Sequence, residues 1–220
     1  MVEKYEQEAI EILKVLDKYF PKWFDGKNSI KWSYKYSSRK KQDEWQAFFF
    51  EDFCFYLMTK LIGGWKGPRI TPSQRFDYQR DFVWDFKITA NKNAKGRKEK
   101  WVLLNDIRKT DQVISQESGI GYIIAKADFK FDRNGSFRNW RNRFQNRTSS
   151  SSNPRILKTE AKITDVFAIF IKNRQQLQQG INDRWIARFD QGRNTGGASR
   201  NPKYKINLDT IPSENIIRLE

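Results

Sequence analysis

The run Arg75-Phe76-Asp77-Tyr78-Gln79-Arg80-Asp81-Phe82-Val83-Trp84-Asp85-Phe86-Lys87-Ile88-Thr89-Ala90 decides how the rest of the chain is read. Its β-branched and aromatic residues predict two strands, at residues 75–78 and 82–90, joined by a tight turn at Gln79-Arg80-Asp81. Side chains alternate across a strand, so Phe82, Trp84, Phe86 and Ile88 share one face, while Val83, Asp85 and Lys87 share the other. Asp77, on the first strand, comes close to Asp85 across the hairpin. One face is wholly apolar and the other carries an acid and an amine. Charges at the edge of a core must be paired, hydrated or metal-bound.

Outward from the hairpin, the chain alternates between helical and strand patterns. Upstream, Ala9, Ile12, Leu13, Leu16 and Phe20 fall on one helical stripe over residues 5–20, closed by Pro21. Residues 22–41 mix aromatics, serines and lysines and read as a loop with a short strand. A second helix is expected over 42–61, with Ala47, Phe50, Cys54, Leu57, Met58 and Leu61 buried and Glu44 and Glu51 at the edge of that stripe. Gly63-Gly64 ends it. Downstream come a basic loop at 91–100, a strand or helix start at 101–104, a helix at 105–116, and strands at 122–125 and 128–131. Further on, a short helix is expected at 137–144, a Ser-rich loop at 148–154, an apolar strand at 166–171, a surface helix at 175–180 and a Gly-rich loop at 191–202. This order predicts one α/β domain over 1–220, with a mixed central sheet flanked by helices.

Composition narrows the chemistry. Among the 220 residues there is no histidine and one cysteine, Cys54, which removes imidazole catalysis, thiolate zinc sites and internal disulfides. Hydrophobic residues are 38% and aromatics 15%, too many for a disordered chain. No apolar run is long enough to span a bilayer and the start lacks a signal-peptide pattern, so a cytoplasmic protein is expected. The 42 Lys and Arg against 26 Asp and Glu give a formal charge of +16. Residues 1–60 are nearly balanced, so the excess lies in the remainder, and a basic surface of that size attracts a polyanion.

Two carboxylates and an ammonium at one place suit Mg²⁺, a hard ion that takes oxygen ligands and keeps waters. Such an ion lowers the pKa of a bound water and neutralises charge on a phosphate. Asp81 is a rival to Asp77 for the first acidic position. It lies on the Asp85 face at a distance of about 13 Å along an extended strand, which favours Asp77 unless the strand begins later. An Asp-x-Lys tripeptide alone is common in basic proteins, and an ordinary surface ion pair is the competing reading. The acid one hairpin earlier and the Glu51 helix before both set this one apart.

On these residues the chain resembles the PD-(D/E)xK nuclease superfamily, and most of all the type II restriction endonucleases. The resemblance covers about residues 44–131. It implies a restriction-endonuclease-like core, with Asp77 and Asp85 as metal ligands, Lys87 as the catalytic lysine and Glu51 as the helix glutamate that contributes to a metal site. It makes the helix with Asp111, Gln112 and Gln116, and the strand after it, the next core elements. Phe76 stands where the motif has proline, and Asp85 stands in place of the commoner glutamate. The implied activity is Mg²⁺-dependent hydrolysis of double-stranded DNA, by a homodimer that puts one site on each strand. A junction resolvase, a repair nuclease, an RNase or a non-enzymatic DNA-binding protein are the alternatives.

Two basic segments would hold the duplex. Lys92, Lys95, Arg97, Lys98 and Lys100 follow the central strand and suit phosphate contacts. Arg138, Arg141, Arg143, Asn146 and Arg147 surround Trp140, and together with Arg193, Asn194, Arg200 and Asn201 they have the side chains suited to reading base edges. Residues 132–220 are expected to supply recognition and sheet-completing elements.

Overall fold

The computed structural model describes residues 3–37, 44–71, 74–147, 156–193, 197 and 199–219. Helix α1 (Lys4–Tyr19) begins with a capping box in which Glu3 and Glu6 satisfy each other's backbone N–H groups, and it buries Ala9, Ile12, Leu13 and Leu16 as its spacing predicts. Strand β1 (Trp23–Asp25) follows, and then α2 (Gly26–Tyr36) where a loop was expected. Asp25 caps α2 by accepting from Asn28 N at 2.9 Å. The buried positions of α2 are Gly26, Ser29, Ile30 and Ser33, of which only Ile30 is a large apolar residue, so no apolar stripe is left to read. Helix α3 (Trp45–Leu61) buries Phe49, Phe50, Cys54, Leu57 and Met58, whereas Leu61 is exposed. Gly63 and Gly64, both at positive φ, take the chain out of it.

The short pair β2 (Arg69–Thr71) and β3 (Gln74–Arg75) precedes the hairpin, whose strands are β4 (Tyr78–Gln79) and β5 (Val83–Ala90). After β6 (Trp101–Asp106) and α4 (Ile107–Gln116), β7 (Ile120–Phe131) lies parallel to β5. Helix α5 (Ser136–Phe144) leads towards β8 (Lys158–Ile171), which pairs antiparallel with β7 along almost its whole length. Then come α6 (Arg174–Asn182), β9 (Ile186–Phe189), β10 (Lys203–Asn207) and β11 (Ile216–Ile217). Among the described residues, a six-stranded mixed sheet runs in the order β1-β8-β7-β5-β4 with β11 also on β8, and a three-stranded sheet runs β6-β10-β9.

The large sheet divides the core. Helices α1, α2 and α3 cover one face, against Trp84, Phe86, Ile123, Ala125 and Phe170. The other face, with Val83, Tyr122, Ile124, Phe167 and Ile169, is covered by α4, α6 and the small sheet. The alternation read from the hairpin holds, since Trp84 and Phe86 face the helices while Val83 faces the opposite cluster. The two strands expected at 122–125 and 128–131 are one 12-residue strand, continuous through a register shift after Lys126. Strand β8 is likewise far longer than its apolar half, because its first half alternates and stays partly exposed. The Ser-rich tract expected at 148–154 lies outside the described residues.

Candidate active site

Tyr78 pairs with Trp84 and Gln79 with Val83 across the hairpin. Asp77 stands one residue before β4, in a bend outside the paired register, where a strand over 75–78 was expected. Asp77 is buried, and its Oδ2 accepts a hydrogen bond from Phe86 N at 3.0 Å, so its carboxylate is seated on the strand that carries Asp85. Asp85 is only 3% exposed. Its Oδ1 receives Lys87 Nζ in an ion pair two residues along the same face, and its Oδ2 accepts from Asn105 Nδ2 at 2.5 Å. Asp81 points into solvent, its side chain 72% exposed and 3.8 Å from Arg80 Nε. Of the two rivals, Asp77 is the one bonded to β5, and Asp81 is the exposed one.

Helix α3 packs on β5 and supplies the third wall. Burial pushes the Cys54 thiol well above its ordinary value, and the negative charges of Asp77 and Glu51 add to that shift. Cys54 is fully buried, so it is the core hydrophobe expected, between the helix acid and the hairpin acid. The three acids do not merge into one centre. Among the described residues, no three His, Cys, Asp or Glu side chains converge as a metal-holding group, so Asp77, Asp85 and Glu51 do not form a three-acid centre.

The small sheet brings residues the sequence reading missed. Asn105, expected at a helix start, is in β6 and clamps Asp85. Asp106 ends β6, caps α4 by accepting from Arg108 N at 3.0 Å, and is itself buried. Lys203 lies directly opposite Asp106 in the β6–β10 ladder. Its ammonium is held below its ordinary value by burial and then by the positive charge of Lys87, with Glu51 and Asp106 opposing and Arg200 adding to the depression. Strand β10 is tied to α4 by Tyr204, whose hydroxyl donates to Asp111 at 3.1 Å and whose pKa burial, reinforced by Asp111, raises to about 12. A signal was present: Lys203-Tyr204-Lys205-Ile206-Asn207 alternates polar and apolar, with Tyr204 and Ile206 buried.

These elements enclose a cleft of about 740 Å³ lined by Glu51, Lys87, Thr89, Asn93, Lys95, Trp101, Asn105 and Lys203, among others. Asp85 sits behind Lys87 and Asn105, the two lining residues bonded to it.

The chain matches no protein-family model, no curated protein and no solved structure.

The basic segments are placed unevenly. Lys92, Lys95, Arg97, Lys98 and Lys100 are exposed on a turn that follows β5, where Asn93 Oδ1 accepts from Lys95 N and Arg97 N. Only Lys95 of these lines the cleft, while Lys98 is ion-paired with Asp209 at 2.5 Å and Lys100 approaches Asp209 at 3.8 Å. On α5, Arg143 is exposed and Arg138 is half-buried, as the stacked pair Trp140–Phe144 holds the helix down, and Arg147, beyond the helix, is half-buried. Asn146, exposed at positive φ, turns the chain after α5. Arg141 corrects the sequence reading: it is 6% exposed, an interior residue of α5 with no edge to offer a duplex. Arg193, Arg200 and Asn201 are exposed, and Arg200 is within electrostatic reach of Lys203. Asn194 lies outside the described residues.

Proposed function

We propose that the chain is a metal-dependent endonuclease of double-stranded DNA, with a core of the PD-(D/E)xK kind and an activity like that of the type II restriction endonucleases. The observation that carries this reading is the seating of Asp77 on Phe86 N, which holds one carboxylate against the strand that presents Asp85 and Lys87. A cleft is lined by Lys87 and Asn105, the two partners of Asp85, and the chain has a formal charge of +16 with which to draw a polyanion in.

The donor set fits Mg²⁺. Among the described residues only Oδ2 of Asp77 has a hydrogen-bond partner, so Oδ1 is available as a ligand. Mg²⁺ commonly uses one or two carboxylates and fills the rest of its shell with water, so two acids suffice where three do not converge. Asp77 and Asp85 would hold the ion, which when bound supplies an activated water and a counter-charge for the phosphate.

The protein's own groups account for the remaining requirements. Asn105 fixes the rotamer of Asp85 through Oδ2 and leaves Oδ1 to exchange its partner. Lys87, whose Nζ is on Asp85 Oδ1, is the cation placed to meet a phosphate oxygen or the attacking water as that carboxylate takes on another ligand. Lys95 lies further along the cleft, in line to hold a neighbouring phosphate. Glu51 faces this space from α3 and would orient solvent there. A homodimer would place one such cleft on each strand of the duplex.

Plasmid cleavage with Mg²⁺ by the wild-type chain and by the Asp85→Ala and Lys87→Ala variants tests this reading. Each substitution is expected to lower the cleavage rate by about 10²–10⁴-fold while duplex binding persists. Cutting by either variant at the wild-type rate would remove the site assignment. Binding without hydrolysis in any divalent metal would leave a DNA-binding protein with an Asp–Lys ion pair.

A further inference from the structure

The cleft contains a second lysine that the hairpin motif does not include. Lys203 projects from β10, a strand of the small sheet nearly 120 residues along the chain from Lys87. Both lysines line the same cleft, and each is within reach of the other's charge. Their situations differ. Lys87 is ion-paired with Asp85. Lys203 is half-buried, and among the described residues it has neither an ion pair nor a hydrogen bond through its ammonium. The two acids that oppose its depression, Glu51 and Asp106, act on it through space without closing a contact, and Asp106 already caps α4.

Half-burying a lysine beside another lysine, with Arg200 also nearby, is unfavourable unless an anion joins them. The scaffold nevertheless holds it firmly. Lys203 is in register with Asp106 on one side and Phe189 on the other, and the next residue, Tyr204, is buried and bonded to Asp111. A lysine in that position is a preorganised donor that needs no rearrangement to meet an incoming charge.

We propose that Lys203, together with Lys87 and Arg200, forms a phosphate-binding subsite in which Lys203 holds the non-bridging oxygens of a DNA phosphodiester from the side opposite α3. It rests on the nuclease reading only for the identity of the anion as a DNA phosphate. Lys203 is a binding residue here, and its ammonium acts as a charge and hydrogen-bond donor.

The test is duplex DNA binding by the full chain in EDTA across a salt series, for wild type, Lys203→Met and Lys203→Arg, with thermal melting of each as a check on folding. Methionine keeps the apolar stem and removes the charge, while arginine keeps the charge. Lys203→Met is expected to bind about three- to tenfold more weakly at low salt and to reduce the slope of log K against log salt by about 0.9, with melting no lower than that of wild type. Lys203→Arg should retain the wild-type slope. An unchanged slope in Lys203→Met, or an equal loss in both variants, would overturn the subsite. Because the readout is binding without metal, a chain that cuts nothing would defeat the nuclease reading and leave this result standing on its own.

Discussion

Asp85 is held at both carboxylate oxygens, by Lys87 on one and Asn105 on the other, and that division sets what each neighbour does. Removing Asn105 frees the rotamer of Asp85 without changing a charge. Asn105→Ala is therefore expected to slow cleavage by about tenfold while leaving the salt dependence of DNA binding unaltered, and parallel kinetic and binding assays check it. A second buried acid gives a prediction on stability. Glu8, 1% exposed beneath the hairpin turn, accepts from Phe82 N, and burial raises its pKa from 4.5 to about 7 against the opposing pull of Arg80. Between those values the folded chain keeps a proton that the unfolded chain releases, so the contribution of Glu8 is complete below the unfolded value and is lost as pH rises through the folded one. Glu8→Gln should flatten the fall in melting temperature between about pH 5 and pH 8, worth about 1–3 kcal/mol, and parallel pH curves for the two proteins would contradict this. The shared face of Asp85 and Lys87 was legible in the sequence because alternation along β5 determines which way each points. Asn105 and Lys203 were not, because their meeting depends on β6 pairing with β10, close to 100 residues away.

Strand β5 positions the site because β7 fixes it in register, Trp84 beside Gly121 and Asp85 beside Tyr122. Gly121 is the residue that permits this. A Cβ there would fall inside the Trp84 indole, and Trp84 is fully buried against Phe170 with ring centroids 5.6 Å apart. Gly121→Ala is expected to destabilise the fold by roughly 1–3 kcal/mol, measured by denaturant unfolding, and to weaken cleavage through the shift of β5. The helices that carry an apolar stripe, α1 and α3, were legible from spacing. Helix α2 was not, since serines and a glycine pack where apolar residues would have marked it. Strand β7 was read as two pieces, 122–125 and 128–131, and β8 was read only in its buried second half. The first half of β8 was not read as strand, because its partly exposed side chains carry few large apolar residues.

At the scale of the molecule, one mixed sheet separates two cores: a helical layer that braces the hairpin from behind, and a mixed layer of α4, α6 and the small sheet that delivers Asn105 and Lys203 in front. The layered α/β arrangement followed from the alternation of helical and strand patterns, whereas the small sheet did not, because its strands are short and far apart in sequence. Charge was legible as a total but not as a surface. Arg141 turned inward and Lys98 and Lys100 lean on Asp209, leaving Lys95 and Lys203 as basic residues that reach the cleft beside Lys87. The most direct measurement is to digest long natural duplex DNA with the purified chain and Mg²⁺, and to sequence the newly formed ends against an Asp77→Asn control. The account predicts new ends that share a short sequence and are absent with the control. New ends in equal number from Asp77→Asn, or none from the wild-type chain with any divalent metal, would contradict it.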